Sequence, residues 1–146
     1  MSNISENLSR VVGITLTAAG TLSHTLGMEV QANLLAVPEN LRRLTYQSLI
    51  DKWGKITIDY LITSGEDLGV VLGVYGMDLL NIPNQKLNTY ILKIAVLFAG
   101  TLNELVEHHL FEDATFSPLD LAIFSIPLIW ELSQFKKNVT NITSNM

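Results

Sequence analysis

The sequence predicts an all-α fold, a single-domain bundle of about five helices. Three observations predict it. Apolar residues recur at three- and four-residue steps through most of the chain, capping residues and prolines stand at the starts of those runs, and only one stretch alternates as a strand would. With 146 residues the chain has the size of one domain and can bury a core without a disulfide or a structural metal. The division expected is a helical domain over 1–137 and a polar, flexible tail over 138–146.

The first helix opens near Asn3, whose side chain suits a cap, with Glu6 three residues on. Leu8, Val11, Thr15, Ala18, Leu22 and Leu26 then share one face, and the helix stops at Gly27 or runs on towards Leu35. Pro38 starts a second helix, with Leu41, Leu44, Leu49 and Ile50 on its apolar side and Gly54 as its stop. Near 55–64 an extended segment competes with a helix: Ile56, Ile58, Tyr60 and Ile62 alternate with Thr57, Asp59, Leu61 and Thr63. A single strand has nothing to pair with inside this chain, so helix is favoured, with an edge strand joined to another subunit as the alternative. Ser64, Glu66 and Asp67 suit the start of a third helix that ends at Pro83. A fourth runs from about Lys86 to Leu110 through Leu87, Tyr90, Ile94, Leu97, Phe98, Thr101 and Leu105. Ser117, Pro118 and Asp120 start a fifth, which reaches about Phe135 and should kink at Pro127.

Composition narrows the function. Charged residues make up 16% of the chain, against roughly 25% in an ordinary soluble domain. So little charge covers an exterior poorly, which implies that an oligomer, a partner or a bilayer hides part of the surface. The net charge of -5 excludes nucleic acid as a natural partner, because Arg42 with Arg43 and Lys136 with Lys137 are isolated doublets. The absence of cysteine excludes disulfides and thiolate chemistry. The polar segment Met1–Arg10 does not read as a signal peptide, and a cytoplasmic protein is expected, with a membrane location as the alternative. Val11 to Met28 carries no charge and reaches the lower length limit for a span, but Asp78, Lys93 and Glu131 interrupt the other apolar helices.

No nucleophile elbow, phosphate loop or cofactor motif is present, so the chain reads as a non-enzyme without a cofactor. Glu104 and His108 lie one turn apart beside Glu107 and His109, a two-ligand arrangement better explained as the polar end of a helix than as a metal site. Gly65, Gly69 and Gly73 recur every fourth residue, with Gly76 following. Each glycine costs a helix roughly 1 kcal/mol relative to alanine, so the series implies close approach of another backbone. Ala95 and Ala99 are the expected facing residues, with a contact between chains slightly preferred to one within the chain. Trp53, Phe111, Phe116 and Trp130 are the candidate interface anchors.

Leu16 to Gly20 reads Leu-x-x-Ala-Gly, and Trp53-Gly54-Lys55-Ile56 is similar to the Trp-Gly-Arg-Ile of the apoptosis-regulating helical bundles. Asp59 would fall in that family's buried central helix, and Ala114-Thr115-Phe116 departs from its Gly-Gly-Trp. The resemblance implies at most a groove that takes a partner helix. The function expected is that of a structural or interaction protein acting through self-association or a protein partner. The alternatives are a small integral membrane protein and a bundle with a groove for an apolar ligand or partner helix.

Overall fold

The computed structural model describes residues 2–81, 86–110 and 118–146, with side chains over 4–81, 86–106 and 118–146. The protein is all-α, and no strand occurs among the described residues. Its elements are α1 (Ser2–Ala36), α2 (Glu39–Trp53), α3 (Lys55–Tyr60), a π-turn (Leu61–Gly65), α4 (Glu66–Leu80), α5 (Leu87–Leu110) and α6 (Pro118–Ser144). α3, the π-turn and α4 follow one another without a break, so the described residues form five helical rods.

The stretch 55–64 is helical. A strand would put Ile56 and Ile58 on one face, yet Ile56 is 88% exposed and Ile58 is fully buried. Ile58, Leu61 and Gly65, at helical spacing, are all buried. Ser64 consequently caps nothing: it is buried inside the π-turn, and Glu66 and Asp67 follow a continuous rod rather than open a new one. Gly54 separates α2 from α3 at φ 85°, a left-handed conformation that side chains other than glycine's rarely adopt, and its N–H bonds the Ile50 carbonyl at 2.8 Å.

α1 runs past Gly27 to Ala36 because Gly27 serves packing rather than termination. Its α-carbon faces the Glu66 backbone, where a methyl group would stand 2.8 Å from the nitrogen. The segment 138–146, expected to be a flexible tail, instead extends α6 to Ser144. Ile142 is buried and the Asn138 amide donates to the Tyr90 hydroxyl at 3.1 Å, which holds this last stretch on the bundle.

α1 lies antiparallel to α4, since Gly13 meets Gly76, Gly20 meets Gly69 and Gly27 meets Gly65. Val71 of α4, Leu97 of α5 and Phe124 and Leu128 of α6 form the central apolar cluster, with Val70, Tyr75, Ile94 and Ile123 around it. Gly100 on α5 makes room for the Phe124 ring. Outside this cluster the distribution of apolar residues is unusual. Among the described residues nine hydrophobic side chains are buried, while twenty-seven large ones are exposed. The accessible surface is 9945 Å², against about 7,500 Å² for a compact monomer of this mass.

Candidate functional site

Two features of the bundle interior are built from specific residues: the seam between α1 and α4, and a charged cluster joining α4, α5 and α6.

The seam is a backbone-to-backbone contact. A methyl group on Gly20 would stand 2.6 Å from the Gly69 oxygen and from the Gly73 nitrogen, and one on Gly69 would stand 2.5 Å from the His24 nitrogen. Real side chains do not fit at such distances, so glycine is required on both helices. Gly65 and Gly69 thus pack inside the chain. Gly73 differs, because a methyl group there would meet nothing within 4 Å; only its main chain touches Gly20. The facing helix is α1 of the same chain. Ala95 and Ala99 are exposed on α5 and are not brought to the seam. The sequence signal for the true partner was Gly13, Gly20 and Gly27, repeating every seventh residue, two helical turns apart.

Polar side chains of α1 bond the carbonyls around the π-turn. A π-turn interrupts the regular bonding ladder of a helix, and buried carbonyls require donors. Ser23 donates to the Gly65 carbonyl at 2.7 Å and lies 2.6 Å from the Tyr60 hydroxyl. Gln31 donates to the Ile62 carbonyl at 3.1 Å, and His24 Nδ1 lies 3.3 Å from the Glu66 carbonyl. His24 is therefore a partnered residue of the seam.

The charged cluster centres on Lys93 of α5. Its ammonium donates to Asp78 Oδ2 of α4 at 2.7 Å and lies 3.1 Å from Glu131 Oε1 of α6. The Tyr75 hydroxyl donates to the same Glu131 oxygen at 2.9 Å, and the rings of Tyr75 and Tyr90 lie 4.9 and 5.0 Å from the ammonium. Asp78, Lys93 and Glu131 are 8%, 5% and 4% exposed. One formal positive charge thus stands between two negative ones, largely shielded from solvent. Asp78 and Lys93 also border a cavity of about 30 Å³ with Val74, Met77, Thr89 and Leu92.

These three residues are the very charges that interrupt the apolar helices in the sequence. Over Val11–Met28 on α1, Leu68–Leu80 on α4, Leu87–Asn103 on α5 and Leu121–Phe135 on α6, no other charged side chain occurs. The exposed surface of the same levels is uncharged and largely apolar: Ile14, Leu22, Ile91, Phe98, Ile126 and Ile129 are examples. Sequence reasoning counted the three charges separately; their joining across 15 and 38 residues of chain is a tertiary fact.

Of the remaining sequence candidates, Trp53 and Trp130 are 57% and 63% exposed, at the end of α2 and midway along α6. Phe111 and Phe116 lie outside the described residues, as does the side chain of His108; Glu104 is half-buried on α5. Among the described residues no three His, Asp or Glu side chains form a metal-sized group. The Trp53–Ile56 stretch is the α2–α3 junction, with Trp53 and Ile56 turned outward, and residues 114–116 lie outside the described part. Comparison with family models, curated proteins and solved structures gives no match, so the functional argument rests on this geometry.

Proposed function

We propose that this chain is a small integral membrane protein of structural or interaction type, with the lipid-facing surface formed by α1, α4, α5 and α6 and with α2 outside the bilayer. One observation carries the reading: over the length of these helices the charged side chains are gathered inside while most large apolar ones face out, the reverse of a soluble bundle. Ionisable residues within a membrane characteristically face the bundle interior and pair with one another, as Asp78, Lys93 and Glu131 do. The glycine seam is the packing device that serves where helices gain no hydrophobic drive to associate. α1 and α5 are long and apolar enough to cross a bilayer, and only 17% of the best window in each is buried, too little for the core helices of a soluble protein. The uncharged run Val11–Met28 spans about 27 Å as a helix, close to the hydrocarbon thickness of about 30 Å.

Membrane fractionation tests the proposal. The full chain should sediment with membranes, remain there through high salt and alkaline carbonate, and be released by detergent. Recovery from the soluble fraction as a monodisperse homo-oligomer without detergent would replace this reading with the soluble alternative, in which copies of the chain cover the apolar belt.

A further inference from the structure

We infer that one end of the bundle is a binding surface for anionic lipid headgroups, an inference that rests on the membrane reading above. The antiparallel order sets four basic residues at the same end. Gly13 lies against Gly76 and Leu80, so Arg10, one turn before it, sits beside the end of α4. Lys93 pairs with Asp78, so Lys86, two turns before it, precedes α5 at that end, and the Asn138–Tyr90 bond brings Lys136 and Lys137 to the same level. All four are exposed.

Among the described residues the only acidic side chain there that is not buried is Glu6, 2.6 Å from Arg10. The other end has the opposite balance: Arg42, Arg43, Lys52 and Lys55 are outnumbered by Glu29, Glu39, Asp51, Asp59, Glu66, Asp67, Glu104 and Asp120. The basic residues flank the apolar belt directly, at the depth where phosphate headgroups lie when the belt fills the hydrocarbon. Charge complementarity and continuity with the belt therefore select an anionic phospholipid over a zwitterionic one.

The test uses the full chain reconstituted in phosphatidylcholine membranes with a trace of chain-labelled phosphatidylglycerol or chain-labelled phosphatidylcholine. The fraction of label immobilised at the protein surface is then read by electron spin resonance. Phosphatidylglycerol should be preferred by about three- to tenfold, and the preference should shrink with added sodium chloride. K86Q/K136Q/K137Q should abolish it, whereas R42Q/R43Q at the other end should leave it unchanged. Circular dichroism checks that the triple variant folds; if it does not, the salt series on the unmodified chain decides. Equal immobilisation of the two lipids, or loss of preference in R42Q/R43Q alone, would overturn the inference. So would displacement by inorganic phosphate beyond the effect of chloride at equal ionic strength, which would assign the surface to the free ion. Failure to reconstitute in either lipid would instead overturn the membrane reading.

Discussion

The Lys93 ammonium stands 2.7 Å from the Asp78 carboxylate, with both side chains about nine-tenths or more buried, and it also reaches Glu131 at 3.1 Å. The contact ties α4 and α6 through α5. Removing charges from water is costly, and the cost is tolerable only because each carboxylate has a cation or hydroxyl beside it.

Lys93→Met should therefore be among the most damaging single changes. It leaves two buried carboxylates without their cation, and loss of one partner in such a cluster costs about 3–5 kcal/mol. Thermal unfolding in detergent, followed by circular dichroism, measures it. Asp78→Asn, Lys93→Met and Glu131→Gln combined should recover most of the loss, because no uncompensated charge remains. A single variant as stable as the unmodified protein would show that the cluster does not hold the helices together.

The glycine series should split in behaviour. Gly69→Ala drives a methyl group into the α1 backbone and should destabilise by about 1–3 kcal/mol, and Gly69→Leu should unfold the protein rather than separate one copy from another. Gly73→Ala meets no obstacle and should stabilise by up to about 1 kcal/mol through helix propensity. Melting temperatures of the two alanine variants, compared side by side, decide the matter; equal effects would contradict the seam geometry.

The Tyr46 hydroxyl on α2 donates to Asp59 on α3. This hydrogen bond raises the Tyr46 pKa above its ordinary 10.0, with smaller contributions from desolvation and from the Asp59 charge. The folded state thus favours the protonated phenol. Its stabilising contribution is complete below pH 10 and disappears as pH rises through the higher folded-state value. The stability difference between the unmodified protein and Tyr46→Phe should accordingly be constant near neutrality and shrink in alkali. Denaturant titrations over a pH series measure it, and a difference that grows above pH 10 would contradict the assignment.

The two tryptophans report depth in a membrane. Trp130 is exposed within the apolar belt and Trp53 is exposed at the end of α2. In vesicles of chain-brominated lipid, the fluorescence of Trp53→Phe, which retains Trp130, should be strongly quenched, and that of Trp130→Phe only weakly. The reverse order would mean that the apolar belt is not the part in lipid.

Local order was legible in the sequence because it depends on residues a few positions apart. Helical spacing determined the all-α class, Gly54 marked the end of α2, and Pro118 the start of α6. The alternation at 55–64 misleads only when burial is ignored, since Ile56 faces out while Ile58 meets the bundle. The glycine series implied a close backbone, and Gly65 and Gly69 lie against α1, but periodicity states which face of a helix is narrow and not which helix fills it. That choice fell to Gly13, Gly20 and Gly27 on α1 rather than to Ala95 and Ala99. The tail at 138–144 looked polar because its single apolar anchor, Ile142, and its bond from Asn138 to Tyr90 act only against a neighbouring helix. Asp78, Lys93 and Glu131 show the limit most clearly. Along the chain they are three costly interruptions of apolar helices; folded, they form one cluster. The energy of a buried charge depends on what stands within a few ångströms of it, and only the tertiary structure decides that.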